Sequence, residues 1–286
     1  RKGRGLKESP TPVKVFAERH KIPVIAPESL KSNELIEKAA QVQPDLFVVS
    51  SYGKMIPSNW LKIPKLALNV HPSLLPQYRG AAPINWAILK GESETGVSIA
   101  EVTDSLDAGD IFCQKKIPLE DSLDSQSLAE RLADLSYEAL GCVFETLREK
   151  KELARTKQDN TLSSYAPKLK KEDGLMDWKR PAADLFNLIR GLLPWPTAYT
   201  YLGKDQVQIL KASLKDRSTV QGVPGTVVAI EKQGVLRVQT GKGILDIEKV
   251  QPAGRKEMSG ADWARGRRLE PGFLFTTPSW PSSSNS

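Results

Sequence analysis

The segment LALNVHPSLLPQYRGAAP, residues 66 to 83, decides how the chain is read. It opens as an apolar strand, LALNV (66 to 70), and runs into a loop whose prolines, Pro72, Pro76 and Pro83, make it stiff enough to shape a pocket. His71 follows the strand directly, with Asn69 two residues before it. Side chains two apart on a strand share a face, so the Asn amide and the imidazole project together beyond the strand end. In an open parallel sheet that is where ligands bind. A lone strand-end histidine is most often structural, but the Asn partner and the stiff loop make this one a candidate for chemistry. The second histidine, His20, lies in a polar segment, ERHK, and reads as surface.

Working outward, LFVVS (46 to 50) and TGVSIAEV (95 to 102) are further apolar or β-branched runs, with helix candidates at 30 to 42 and 81 to 90. Strands spaced by helices indicate a parallel sheet with crossover connections. From Ser125 to about Lys150, Leu128, Leu132, Leu135, Leu140, Val143 and Leu147 recur at helical steps, with Ser125 or Ser127 available as the cap. That stripe reads as core packing that closes a first domain. Residues 151 to 176 are polar and Lys-rich, as a linker would be. After a helical stretch near 181 to 191 and the rigid PWP at 194 to 196, five short strands follow: TAYTYL, QVQILKA, GTVVAI, GVLRVQT and GILDIEKV. Such a series predicts a small closed barrel. The Ser/Pro-rich tail predicts disorder. The expected division is 1–165 for the first domain, with its linker from about 151, then 166–276 for the barrel and 277–286 for the tail.

The length of 286 residues fits two domains at ~150 residues each. An apolar share of 40% with 26% charged residues is that of a soluble globular protein, and no apolar run approaches the ~18 residues of a membrane span. Only Cys113 and Cys142 occur, in no CxxC or Cys/His cluster, which argues against a disulfide framework or a zinc site and for a reducing cytoplasm. The sequence opens without methionine in the basic stretch RKGRGLK and is read as lacking its true start.

The net charge of +7 is unevenly spread. Residues 1 to 21 carry seven Lys/Arg against two acids, residues 22 to 165 fifteen against twenty, and residues 166 to 286 nineteen against twelve. Basic ends around an acidic middle indicate that the middle does chemistry while the ends hold a polyanion. Surface cations serving only solubility are the bland alternative. A second cluster, SLDAGD (105 to 110), follows the TGVSIAEV strand and, with Asp104, sets Asp107 and Asp110 around a glycine. Taken alone, it reads as solvated turn carboxylates.

LNVHPSLLPQYRGAAP (68 to 83) together with SLDAGD resembles the signature of the 10-formyltetrahydrofolate-dependent formyltransferase family. The family's catalytic Asn, His and Asp match Asn69, His71 and Asp107 in kind, order and spacing. Pro72 replaces the small residue usual after the His. Ser73, Leu74, Leu75 and Pro76 fall on the folate-contacting segment. SSYAPKL (163 to 169), PWP and QPAGRKEMSGADWARG (251 to 266) are similar to the linker and C-terminal domain of the family's methionyl-tRNA formyltransferases, and GRGLK with SPTPVK (3 to 14) resembles their basic loop.

The resemblance implies an α/β protein: a Rossmann-like, parallel-sheet formyltransferase domain with its first strands missing before Arg1, followed by a small OB-like β-barrel that binds tRNA. It implies 10-formyltetrahydrofolate as co-substrate, methionyl initiator tRNA as partner, and a cytoplasmic monomer without metal or membrane. Lys2, Arg4 and Lys7 at one end and Lys168, Lys170, Arg255 and Arg265 at the other are the candidate tRNA contacts. In the implied reaction a folate-bound formyl group passes to an aminoacyl amine through a tetrahedral intermediate. Asn69 and His71 could donate to its oxyanion, and Asp107 could take a proton through water or orient and charge-stabilise His71. No acyl-enzyme is required. Two other readings are a formyltransferase for an amino sugar nucleotide or ribonucleotide, and a non-catalytic RNA-binding module, which would have no use for the trio.

Overall fold

The computed structural model describes residues 10–216 and 222–275. In chain order the first elements are α1 (Pro12–Arg19), α2 (Asn33–Gln41), β1 (Leu46–Ser50), α3 (Ser58–Leu61), β2 (Leu66–His71), β3 (Arg79–Gly80) and α4 (Pro83–Leu89). Then come β4 (Glu94–Glu101), β5 (Ile111–Pro118), α5 (Ser125–Arg148), β6 (Tyr165–Ala166) and α6 (Ala182–Gly191). The chain closes with β7 (Ala198–Leu202), β8 (Asp205–Asp216), β9 (Val227–Ile230), β10 (Leu236–Gln239), β11 (Ile244–Pro252), β12 (Met258–Ser259) and α7 (Gly260–Gly266). No helix among the described residues is long and apolar enough to cross a membrane.

Of the described residues, those within 10–46 and 54–65 form one compact unit, and those within 47–53 and 66–275 form another. In the first, Thr11 caps α1 by accepting from the Lys14 amide, and Pro12 sits at the start of the helix where a missing N–H costs nothing. That helix was not expected from its basic surroundings. The Trp60 indole donates to the Leu30 carbonyl at 2.7 Å and ties the two stretches of this unit together.

The second unit holds two larger sheets. The first has the order β1-β2-β4-β5, and β5 was not foreseen. The α/β class is as expected, but β2 and β4 pair antiparallel, with Asn69 opposite Ala100 and His71 opposite Ser98, and β4 and β5 also pair antiparallel. The reason is the connection. α4 has seven residues, about 10 Å at 1.5 Å per residue, and the stiff loop before it stays at the strand end, so the chain returns by the edge it left.

Helix α5 covers this sheet. Its cap is Asp124, rather than Ser125 or Ser127: the Ser127 amide donates to Asp124 Oδ1 at 2.8 Å while Ser127 Oγ accepts from the Asp124 amide at 3.0 Å. A carboxylate at this end also suits the helix dipole. Leu128, Leu132, Leu135 and Val143 are buried against Leu68, Val70, Val97 and Ile99, and Leu140 and Leu147 are partly buried beside them. Each fully buried leucine contributes roughly 1.5–3 kcal/mol.

The second sheet is antiparallel throughout its main path, β7-β8-β11-β10-β9, with β12 beside β11. Among the described residues no pairing joins β9 to β7, so the ring is open there, unlike the expected closed barrel. Single bridges, Leu175 to Tyr199 on β7 and Thr226 to Leu274 next to β9, cover part of the two edges.

Trp178 fills this core at 2% exposure, donates its indole N–H to Thr200 Oγ1 at 3.0 Å and stacks on Phe275. Trp178→Ala is expected to cost about 3–5 kcal/mol, read as a fall in the urea midpoint; an unchanged midpoint would show that this core repacks around the loss. Arg190 of α6 is buried and donates to the carbonyls of Glu120 (3.1 Å) and Leu123 (2.9 Å) just before α5. It thereby ties α6 to the turn before α5. Burial lowers its pKa from the ordinary value, opposed by the charge of Asp121.

Candidate active site

Neighbouring strands and two loops bring the site together. β2 ends at His71, and its side chain is almost fully buried beside Asn69, which is half-buried. The SLDAGD turn after β4 carries Asp107 back over that strand end. Asp107 Oδ1 accepts from Asn69 Nδ2 at 3.0 Å, Oδ2 accepts from the Gly80 amide at 2.8 Å, and Oδ2 lies 3.6 Å from His71 Nδ1. The three residues chosen from the sequence therefore meet at one carboxylate. Asp104 is exposed and Asp110 is half-buried; the solvated-turn reading suits Asp104, while the same reading fails for Asp107.

Asp107 has φ +49, the left-handed region that costs an L-residue energy but that Asp tolerates better than most. Gly109 has to be glycine: a Cβ there would stand 2.0 Å from the Glu101 carbonyl oxygen. The turn is thus pressed directly onto the end of β4.

The His71 ring is oriented by its other nitrogen. Nε2 lies 2.9 Å from the Tyr78 carbonyl, which can only accept, so Nε2 carries a proton. Nδ1, the edge shared with Asp107, is then a free acceptor in the neutral ring and a donor only in the imidazolium. Tyr78 is itself anchored: its hydroxyl donates to Glu92 and its amide donates to Ser164 Oγ. Burial, aided by the Glu92 carboxylate, raises the Tyr78 phenol pKa well above its ordinary value, so the hydroxyl keeps its proton.

The loop after His71 is built on Ser98. Its hydroxyl donates to the Ser73 carbonyl at 2.7 Å and accepts from the Leu75 amide at 3.0 Å, while Gln114 Nε2 donates to the Leu75 carbonyl at 2.8 Å. Leu75–Pro76 is a cis peptide. Ser73 is fully buried with its hydroxyl given to the Gln77 carbonyl, and Leu75 is buried with Ala100 and Ile111. Leu74 and Pro76 are the two residues of that segment left half-exposed.

The linker is part of the site, which sequence reasoning missed. β6 pairs parallel with β3, and the Ala81 amide donates to the Ala166 carbonyl at 2.8 Å. A two-residue ladder has no periodicity to detect. This pairing places Lys168 and Lys170, both exposed, a few residues from the loop that carries Gly80. Arg255 and Arg265 are exposed on the segment from the end of β11 to α7. Arg265 is paired with Asp262 at 2.7 Å, and an exposed pair of this kind contributes little. Lys2, Arg4, Lys7 and the tail 277–286 lie outside the described residues.

Cys113 is not placed as a nucleophile. Burial, with Cys142 beside it, pushes the Cys113 thiol up to about 11, where little thiolate exists at neutral pH. Among the described residues no group of three or more His, Cys, Asp or Glu could hold a metal ion.

Residues 1–143 match the family model described as formyl transferase, and residues 168–268 match that of the formyl transferase C-terminal domain. The methionyl-tRNA formyltransferase of Geobacter metallireducens is 44% identical over 273 residues, covering 95% of this chain and 86% of that protein. Among solved structures, the N-formyltransferase from Helicobacter canadensis in complex with folinic acid and dTDP-3-aminofucose superposes with a TM-score of 0.64 at 18% identity, covering 85% of each chain. HypX from Aquifex aeolicus in complex with tetrahydrofolic acid gives 0.59 at 22% identity, over 85% of this chain and 44% of HypX. At such identities these two likenesses show a common fold. The two family-model matches and the Geobacter relative, 44% identical over 95% of this chain, establish that the chain belongs to the methionyl-tRNA formyltransferases of the formyl transferase family.

Proposed function

We propose that the chain transfers the formyl group of 10-formyltetrahydrofolate to the α-amino group of methionyl initiator tRNA, giving the formylated aminoacyl-tRNA used to start translation. The observation that carries this is the meeting of Asn69, His71 and Asp107 at the end of β2, in a chain matched over 95% of its length by a methionyl-tRNA formyltransferase.

Each residue has a task that follows from its partners. Asn69 gives one Nδ2–H to Asp107 and keeps the other, which is available to the formyl oxygen as that oxygen gains negative charge. A donor so placed contributes roughly 3–4 kcal/mol in comparable acyl transfers. His71, with Nε2–H committed to the Tyr78 carbonyl, has Nδ1 open to take the proton the attacking amine must lose. Asp107 then stabilises the imidazolium from 3.6 Å. This favours the orienting and charge-stabilising role for Asp107 over proton removal through water. Leu74 and Pro76 offer apolar surface for the folate ring, while Ser73 and Leu75 act through the loop they hold. The tRNA would be gripped by Lys168, Lys170 and Arg255, with a smaller share from Arg265 and with Lys2, Arg4 and Lys7 at the other end. On this reading residues 1–165 do the chemistry and 166–276 hold the tRNA.

The test is a direct comparison of acceptors at equal 10-formyltetrahydrofolate: methionyl initiator tRNA, an amino sugar nucleotide and an aminated ribonucleotide. Formylation of the tRNA alone is expected. Preference for either small acceptor would transfer the activity to that substrate and leave the basic C-terminal region without its assigned purpose.

A further inference from the structure

Gln158 lies between the two stretches matched by the family models, in a segment that reads as linker. Its carboxamide uses its full bonding capacity. Nε2 donates to the carbonyls of Asp107 at 2.9 Å and Gly109 at 2.7 Å, and Oε1 accepts from Arg79 Nε at 3.1 Å and Nη2 at 2.7 Å. Arg79 Nη2 also donates to Asn160 Oδ1 at 2.9 Å. Two residues before Gln158, Thr156 exchanges both backbone hydrogen bonds with Ile111, at 2.8 and 2.9 Å, so the linker is fixed to the start of β5. Arg79 precedes Gly80, whose amide holds the Asp107 carboxylate. One side chain thus closes a ring that runs from the Asp107 carbonyl through Gln158, Arg79 and Gly80 to the Asp107 carboxylate.

Asp107 needs such a restraint. Its left-handed backbone is held only where surrounding contacts over-determine it, and a relaxed turn would swing the carboxylate away from Asn69 and His71. We propose that Gln158 is a positioning residue for formyl transfer: its two N–H donors hold the Asp107 turn in the conformation that presents the carboxylate to Asn69 and His71. This rests on the function proposed above, with Asp107 as a working residue of the site.

The test is a double-mutant cycle on the full chain with Gln158→Ala, Gln158→Glu and Asp107→Asn. Gln158→Ala should lower kcat between about ten- and a hundredfold, the loss that a displacement of about 1 Å produces, with KM for methionyl-tRNA and folate unchanged and the melting temperature close to wild type. Gln158→Glu keeps acceptors for Arg79 but sets a carboxylate against two carbonyl oxygens, so it should fall as far as alanine. In the Asp107→Asn background, Gln158→Ala should add almost nothing, because sites acting through one group are not additive. Wild-type kcat in either Gln158 variant, or losses that multiply in full with Asp107→Asn, would overturn the proposal. Amide hydrogen exchange at Gly80 supplies a readout independent of turnover: it should quicken in Gln158→Ala. Should the wild type fail to formylate methionyl-tRNA, the proposed function falls, yet unchanged Gly80 exchange would still refute the positioning role and faster exchange would still support it.

Discussion

Asp107→Asn is expected to lower kcat for formyl transfer by at least about a hundredfold while leaving the protein folded. Asparagine also tolerates the left-handed conformation at φ +49, so the backbone has no reason to change. The chemistry of the side chain does. Asp107 accepts on both oxygens, from Asn69 Nδ2 and from the Gly80 amide; an amide in its place must point an NH2 at one of these donors. The charge facing His71 Nδ1 is lost as well, and with it the stabilisation of an imidazolium formed during the reaction. Asn69→Ala and His71→Ala should lower turnover to a similar extent, the first by removing a donor to the developing oxyanion. Steady-state kinetics with a thermal melt as control would decide each case, and near-normal turnover in any variant removes that residue from the mechanism.

Binding of methionyl-tRNA should weaken on the order of a thousandfold between about 50 and 200 mM salt, the response expected when six or more cations neutralise phosphates. Seven candidates carry that expectation: Lys2, Arg4, Lys7, Lys168, Lys170, Arg255 and Arg265. They are not equivalent. Arg265 already shares its charge with Asp262, whereas Lys168 and Lys170 follow the strand paired with Arg79–Gly80 in the loop after His71. Replacing both lysines by alanine should reduce the slope of log affinity against log salt by about 2 and weaken binding uniformly across tRNA sequences. A flat salt response in filter binding would show that the basic surface serves solubility alone.

The core of the site was legible because its signal is local. Asn69 and His71 are two apart on an apolar strand, and that spacing alone places them on one face of β2. Asp107 was legible only through the family resemblance, since a carboxylate in a glycine-containing turn looks like any solvated turn until the turn folds back on the strand end. Gln158 gave no signal at all: its role depends on carbonyl groups some fifty residues away, which no pattern in the linker encodes. The antiparallel pairing of β2 with β4 was missed for a related reason. A strand, a helix and a strand read as a crossover, but α4 is too short to cross the sheet. The cap of α5 shows how close two readings can lie: Ser125 and Ser127 are both cap-forming residues, yet Asp124 takes the position and Ser127 completes the box as its partner. The α5 stripe and the five main strands of the six-stranded C-terminal sheet were read correctly because their periodicity extends over many residues.

The central claim is that the formyl group passes directly to the amine of methionyl-tRNA at the site formed by Asn69, His71 and Asp107. A single-turnover experiment tests it most directly: enzyme in excess over formyl-labelled 10-formyltetrahydrofolate, mixed with methionyl initiator tRNA and quenched in acid over a time course. Label should move from folate to the aminoacyl-tRNA with none appearing in the protein fraction, and none should move when uncharged tRNA is supplied. Label accumulating in the protein before it reaches the tRNA, or reaching no tRNA at all, would contradict the account.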